Sequence, residues 1–182
     1  MRGRTRVVTI AVAIATIAVA AVVVFGAGRP SVGSQAPEFT LKNQEGQPSS
    51  LEDFRGKWVV LYFYPANTET GRRQAQNFQR DLAKYAEANA VVVGVSVERP
   101  ASNKDFATRA GLTFPLLSDP GADVADEYDS TQFYHMTTLA TRNTFLLDPQ
   151  GRVAQVFLDV DADRHSTEVL GALEALRAHR AP

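Results

Sequence analysis

The stretch that decides the fold runs from Trp58 to Asp81 and reads WVVLYFYPANTETGRRQAQNFQRD. It contains an apolar run, Val59 to Tyr64, whose β-branched and aromatic residues are typical of a buried strand. Pro65 ends this run, a polar loop containing Gly71 follows, and a helical pattern begins at Arg72. A strand, a loop and a helix N-terminus in this order predict a place where reactive or ligand-binding groups are positioned.

The pattern around this stretch predicts an α/β domain. A short hairpin around the turn Asn43 to Gln47 and a helical turn at Ser50 to Phe54 precede it. Apolar residues at helical spacing predict a helix from Arg72 to Ala88, and Ala90 to Val97 is typical of a second buried strand. Because a helix joins the two strands, we expect them to be parallel, with a right-handed crossover. Pro100 to Ala110 predicts the next helix.

The C-terminal part of the pattern adds a hairpin and a last helix. The turn Asp148 to Gly151 separates two predicted strands, Asn143 to Leu147 and Arg152 to Leu158. An amphipathic helix follows from Thr167 to Ala178, whereas Asp129 to Thr141 is predicted to be a long loop. The hairpin favours a mixed sheet over the all-parallel sheet of a flavodoxin-like fold.

Composition excludes several kinds of chemistry. The chain has 182 residues, a formal net charge of -1 and no cysteine. No basic bias indicates nucleic acid, so no nucleic-acid partner is predicted. Without cysteine there are no disulfides, thiolate metal sites, cysteine nucleophiles or dithiol exchange. Since His135, His165 and His179 show no metal-ligand spacing, the sequence predicts neither a metal nor another cofactor.

The N-terminal segment has the properties of a membrane anchor. Arg2, Arg4 and Arg6 precede Val7 to Phe25, which are 19 residues without a charge. As a helix this run would be about 28 Å long, close to the thickness of the hydrocarbon core. We expect an uncleaved signal anchor, because a cleaved signal peptide has a shorter apolar core of roughly 7–15 residues. Cleavage and secretion of the domain is the alternative.

Three segments follow from these patterns. Residues 1–28 hold the cytoplasmic arginines and the transmembrane signal anchor, residues 29–35 form a Pro/Gly/Ser linker, and residues 36–180 form the folded domain. Because the arginines precede the apolar run, the N-terminus should stay in the cytoplasm. The domain should then lie on the extracytoplasmic side of the membrane, in a periplasm or a lumen.

Four segments together resemble a known family. They are the Trp58–Asp81 stretch, APEFTLKNQEG at 36–46, GVSVERPASNKDFATRAGLTFPLLSDP at 94–120 and TRNTFLLDPQGRV at 141–153. They resemble the peroxiredoxins of the AhpC/TSA family, nearest to its bacterioferritin-comigratory, or Q-type, branch. The resemblance covers Gln35 to Ala178. It implies a thioredoxin-like fold, a mixed central sheet flanked by helices, and a thioredoxin-dependent thiol peroxidase activity.

The catalytic pattern of that family is degenerate in this chain. The family motif is Pro-x-x-x-Thr/Ser-x-x-Cys, and Pro65 matches its proline. The resemblance places Glu69 at the hydroxyl position and Arg72 at the position of the peroxidatic cysteine. Asn77 stands where Q-type members often carry a resolving cysteine, and Arg142 matches an arginine that the family supplies to the site. A register shifted by one residue would put Gly71 at the nucleophile position.

Two functions are compatible with these residues. Without a thiolate the chain should be inactive as a thiol peroxidase, which favours a binding or scaffold module. Its partners would be the membrane, through the N-terminal helix, and a second copy or active peroxiredoxins. The alternative is an anion-binding sensor or enzyme that uses Arg72, Arg73 and Arg142 in one depression. Pairing of Glu69 with Arg72 or Arg73 would oppose such a site.

Overall fold

The computed structural model describes residues 28–66, 68–134 and 137–180. The strands are β1 (Thr40–Asn43), β2 (Pro48–Ser50), β3 (Trp58–Phe63), β4 (Ala90–Ser96), β5 (Leu116–Ser118), β6 (Thr131–Tyr134), β7 (Thr137–Ala140), β8 (Thr144–Leu147) and β9 (Val153–Phe157). The helices are α1 (Glu69–Arg80), α2 (Leu82–Glu87), α3 (Pro100–Ala110), α4 (Asp123–Glu127) and α5 (His165–Arg180), and Leu51–Phe54 form a 3-10 turn.

A seven-stranded mixed sheet has the order β2-β1-β5-β4-β3-β8-β9. Strand β3 pairs in parallel with β4 and antiparallel with β8, and β9 completes the hairpin with β8. The predicted βαβ unit, the terminal hairpin and the mixed sheet are therefore confirmed. The first hairpin is confirmed as well, since β1 pairs antiparallel with β2.

Strand β3 lies at the centre of the core, and all six of its residues are buried. Its side chains alternate between the two faces of the sheet, as the pleat requires. On one face, Tyr62 packs in a cluster with residues of α1, α3 and α5, including Phe78. On the other face, Phe63 packs with Tyr128 and Phe145. Helices on one face and shorter elements on the other hold the end of β3 in place.

The helix predicted from Arg72 to Ala88 begins earlier and is interrupted. Thr68 is the N-cap residue and α1 begins at Glu69, because the Thr68 hydroxyl accepts a hydrogen bond from the Gly71 N–H. The helix ends at Arg80, and α2 begins at Leu82 after a turn at Asp81. The predicted α3 is confirmed, and Gly111 ends it with a left-handed φ of 68°.

The long loop predicted from Asp129 to Thr141 contains a hairpin instead. Strands β6 and β7 pair antiparallel, from Thr131 opposite Ala140 to Tyr134 opposite Thr137. This two-stranded sheet is separate from the central one. Threonine and aromatic residues, which favour strands, supply its β-propensity.

The segment predicted as a linker, residues 29–35, is partly attached to the domain. The Gly33 N–H donates to the Val153 carbonyl at 2.8 Å, and the Val153 N–H donates to the Ser34 carbonyl at 2.9 Å. Arg29 also forms an ion pair with Asp129 at 2.9 Å. The fixed part of the chain therefore begins inside this segment.

Within the described ranges, no helix has the length and apolar character needed to cross a membrane. The predicted anchor run, Val7 to Phe25, lies outside the described residues.

Candidate functional site

The candidate site lies where β3 ends and α1 begins. The Pro65 carbonyl accepts hydrogen bonds from the N–H and the hydroxyl of Thr68, at 3.2 and 2.9 Å. The Thr68 hydroxyl oxygen in turn accepts from the Gly71 N–H at 3.0 Å. One threonine thus closes the loop onto the strand and caps the helix, which fixes the first turn of α1.

Gly71 is required by the close approach of this loop. A Cβ atom at this position would lie 2.3 Å from the Pro65 carbonyl oxygen, far below a van der Waals contact. No residue with a side chain fits there unless the backbone moves. The alternative register, in which position 71 would carry a nucleophile, is therefore incompatible with this loop geometry.

Arg72, predicted to stand at the nucleophile position, is bound to Glu69, predicted to stand at the hydroxyl position. Its Nε donates to Glu69 Oε2 at 3.0 Å and its Nη2 donates to Oε1 at 2.5 Å, while Nη1 donates to Gln76 at 2.9 Å. The hydrogen bond lowers the pKa of Glu69 and raises the pKa of Arg72. Charge and hydrogen-bonding capacity of the guanidinium are therefore largely satisfied by neighbours on the same helix.

The other two candidate arginines bind different carboxylates. Arg73 Nη1 lies 3.4 Å from Asp163 Oδ2. Arg142 donates from Nη2 to Asp159 at 2.8 Å and from Nε to the Val160 carbonyl at 3.3 Å. The described structure thus gives each of the three arginines its own carboxylate. The predicted common anion pocket would require these ion pairs to open.

Asn77, predicted to stand at the resolving position, makes hydrogen bonds that hold the structure together. Its Nδ2 donates to the Ala162 carbonyl at 2.9 Å, and its Oδ1 accepts from Arg80 at 2.8 Å. The loop that precedes α5 is therefore attached to α1 by Asn77 and by the Arg73–Asp163 pair. This loop was not among the predicted site segments. Its alternating aspartates, 159, 161 and 163, were the available signal.

The two described histidines do not form a metal centre or a catalytic pair. His165 is fully buried, with Nε2 2.8 Å from the Thr144 hydroxyl, and burial lowers its pKa to about 4. His179 is exposed and its Nδ1 lies 2.7 Å from the Ala175 carbonyl oxygen. No group of three or more potential metal ligands occurs in the part of the chain described here. His135 lies outside it.

The seven-stranded mixed sheet, with α1 beginning just after its central strand β3, is the thioredoxin-like fold that the family resemblance implies. Comparison with family models agrees, since the model described as AhpC/TSA family matches residues 32–156. The chain belongs to the AhpC/TSA family. Its sequence contains no cysteine, so both cysteines of the Q-type pattern are absent.

Individual relatives support the Q-type branch. The chain is 42% identical to the chloroplastic peroxiredoxin Q of Sedum lineare over 147 residues, covering 80% of this chain and 78% of that protein. The crystal structure of peroxidoxin BcpB from Mycobacterium tuberculosis superposes with a TM-score of 0.76 at 29% identity, covering 82% and 99% of the two chains. The crystal structure of a PrxQ mutant from Xylella fastidiosa superposes with a TM-score of 0.77 at 29% identity, covering 82% of this chain and 99% of that chain.

Proposed function

We propose that this chain is a non-catalytic member of its family and acts as a binding or scaffold module. The Glu69–Arg72 ion pair at the place of the nucleophile carries this proposal. Reduction of a peroxide by a thiol peroxidase begins with attack of a thiolate on the peroxide oxygen. A guanidinium remains protonated at any physiological pH and has no comparable nucleophile to offer.

The residues that now occupy the site have structural roles that do not depend on peroxide chemistry. Pro65 and Thr68 close the loop, and Asn77 and Arg142 hold the segment before α5. A fold that keeps its architecture but lacks its reacting atom retains surfaces for binding. We therefore favour a module that recognises a second copy of itself or an active peroxiredoxin.

We further propose that the module is held at the extracytoplasmic face of a membrane by residues 1–28. The support is the uncharged run Val7 to Phe25, preceded by Arg2, Arg4 and Arg6. Secretion after cleavage is the alternative outcome. Three of the 19 basic residues precede this run and all 20 acidic residues follow it, so the domain carries a net negative charge and is not expected to bind nucleic acid.

A peroxide-consumption assay tests the loss of activity. The full chain, with thioredoxin, its reductase and NADPH, should consume hydrogen peroxide or an alkyl hydroperoxide no faster than the same mixture without it. A cysteine-containing peroxiredoxin Q serves as the positive control under identical conditions. Turnover proportional to the amount of this protein would contradict the proposal, because it would require a nucleophile other than cysteine.

A further inference from the structure

Three large apolar side chains are exposed in the described part of the chain. They are Val32, with 64% of its surface exposed, Phe133, with 77%, and Leu158, with 46%. Single exposed apolar residues are ordinary on protein surfaces and need no explanation. An explanation is needed only for those whose segments the fold brings to the same end of the domain.

A series of polar contacts links the segments that carry them. Arg29 Nη2 binds Asp129 Oδ2 at 2.9 Å. The Asp129 carbonyl accepts from Asn143 Nδ2 at 3.1 Å, and Asn143 Oδ1 accepts from the Asp159 N–H at 3.3 Å. Three segments distant in sequence therefore meet around Asn143.

Two of the exposed apolar residues lie next to this series of contacts. Phe133 follows Asp129 by four residues on strand β6, and Leu158 immediately precedes Asp159. Both segments are at the end of the β8–β9 hairpin where Thr144 pairs with Phe157. The turn at Gln150 is at the other end, and the segment that carries Val32 is bonded to Val153 on that side. We call Phe133 and Leu158 the apolar end of the domain.

The same end is where the chain arrives from the predicted anchor. Arg29 follows the last residue of the uncharged run, Phe25, by four positions. At roughly 3.3–3.6 Å per residue, four residues span at most about 14 Å. With residues 1–28 as the proposed anchor, the contact between Arg29 and Asp129 would bring the base of the β6–β7 hairpin near the point where the anchor leaves the bilayer.

Charge is also compatible with contact between this hairpin and lipid. Residues 130–141 contain no aspartate, glutamate, lysine or arginine, so burying the hairpin would desolvate none of these charged groups. At the base of the hairpin Asp129 pairs with Arg29 and Asp159 pairs with Arg142, while Asp126 accepts a hydrogen bond from the Thr131 hydroxyl. Insertion would then depend on apolar and aromatic surface, which favours the interfacial region of a bilayer.

We propose that the apolar end rests on the lipid surface and that the Phe133 ring inserts between the headgroups. This inference deepens the proposed function and rests on its membrane anchorage. The partner is the zwitterionic lipid interface itself, with no charged lipid required.

Tryptophan fluorescence in vesicles tests this orientation. The full chain is reconstituted into phosphatidylcholine vesicles as wild type, Phe133→Trp and Gln150→Trp, with or without brominated acyl chains. The wild type gives the background of Trp58, which is only 5% exposed. Gln150 is the matched control, because it is also exposed but lies at the opposite end of the β8–β9 hairpin.

The measured quantity is the tryptophan emission of each variant after the wild-type emission is subtracted. We expect brominated lipid to reduce this emission at least twofold in Phe133→Trp and to leave it unchanged in Gln150→Trp. Two results would overturn the proposed orientation while leaving the anchorage intact: equal quenching at both positions, or no quenching at position 133, each in protein that resists carbonate extraction. If carbonate extracts the protein from the vesicles, both the orientation and the anchorage are overturned. A blue shift of Phe133→Trp emission that depends on protein concentration without lipid would indicate a second copy and overturn the lipid assignment.

Discussion

Arg72 and Glu69 neutralise each other on the first turn of α1, with 43% and 63% of their side-chain surfaces exposed. Surface ion pairs of this kind contribute roughly 0–1 kcal/mol to stability. Substitution of either residue should therefore leave the fold intact. This makes the position suitable for restoring the missing thiol and measuring what the site still does.

We predict that Arg72→Cys reacts slowly with peroxide and that adding Glu69→Thr accelerates it. Position 72 is the fourth residue of α1, and its N–H is already bonded to the Thr68 carbonyl at 3.0 Å. The helix terminus should therefore lower the thiol pKa only partly below its free value of about 8.5. In the single variant, the Glu69 carboxylate loses its arginine partner and opposes thiolate formation.

Trapping of the sulfenic acid with dimedone, read by mass spectrometry, measures both rates. About one equivalent should react without added thiol, because Asn77 cannot resolve the product. The cysteine-free wild type controls for non-specific labelling. Equal rates in the single and double variants would show that Glu69 does not control the site.

At the scale of elements, Asp81 joins the two parts of the interrupted helix to α5. Its carboxylate is buried, forms ion pairs with Arg80 and Lys84, and accepts a hydrogen bond from the Ser166 hydroxyl at 2.9 Å. The hydrogen bond from Arg80 is the largest of the effects that lower the pKa of Asp81, from an ordinary value of 3.8 to about 2. The ionised form is therefore stabilised in the folded state.

We predict that the free energy of unfolding includes about 2 kcal/mol from Asp81, present above pH 4 and lost as the pH falls toward 2. The sign follows because the folded state holds the proton less tightly than the unfolded chain does. Urea unfolding of Asp81→Asn should show a lower stability at pH 7 and a weaker pH dependence between pH 4 and 2. The exposed Asp105→Asn is the control, and an equal loss in it would contradict the assignment.

His165 connects α5 to the sheet and should give a separate pH dependence. Its ring packs edge-on against Phe78 and Phe157, and burial lowers its pKa from 6.5 to about 4. The unfolded chain therefore takes up this proton first, and stability present above about pH 6.5 is lost toward pH 4. The loss should amount to about 3 kcal/mol.

Replacement of His165 by glutamine should lower stability at pH 7 but flatten its dependence between pH 6.5 and 4. His179→Gln, at an exposed position near the end of α5, should leave the wild-type profile unchanged. Urea unfolding curves recorded at several pH values between 6.5 and 4 measure the free energy of unfolding of both variants. A wild-type profile that is flat from pH 6.5 to 4 would rule out the buried neutral histidine as a source of acid sensitivity.

Hydrophobic periodicity predicts the larger helices and strands correctly, but it fails at helix ends and breaks, which are determined by local capping. The break at Asp81 was missed because the apolar spacing of Phe78, Leu82 and Tyr85 continues across it. The sequence pattern places the start of α1 at Arg72 because glycine is typical of a loop, although Gly71 is the third residue of the helix and is required by the close approach of Pro65. Such contacts depend on three-dimensional proximity and leave little trace in hydrophobic spacing.

The site was predictable where its partners are close in sequence. Glu69 and Arg72 are three residues apart and face each other on one helix, so their spacing in the sequence already predicts an ion pair. Arg142 and Asp159 are 17 positions apart and meet only because β8 and β9 form a hairpin. In the predicted three-arginine pocket, Arg142 is placed by family position alone, which gives a residue's place in the fold but not its ion-pair partner.

At the scale of the whole molecule, the predicted anchor and the domain meet within a few residues. Arg29 is bound to Asp129, and Gly33 and Ser34 are bonded to Val153. Little free chain is left between Phe25 and the fixed part of the fold, so an anchored domain would lie against the bilayer. Access to the candidate site would then depend on the membrane as well as on α1.

The last prediction tests topology and anchorage together. A reporter enzyme fused after Pro182 should be active only outside the cytoplasm, and the full chain should resist carbonate extraction. The reason is that Arg2, Arg4 and Arg6 favour the cytoplasmic side and Val7 to Phe25 are long enough to span. In the variant with both Ile14→Arg and Ile17→Arg, each new charge opposes insertion by about 2.5–3.5 kcal/mol, so reporter export should fall sharply. Recovery of a soluble chain beginning near Arg29 would instead establish cleavage and secretion, and an active reporter in the cytoplasm would contradict both.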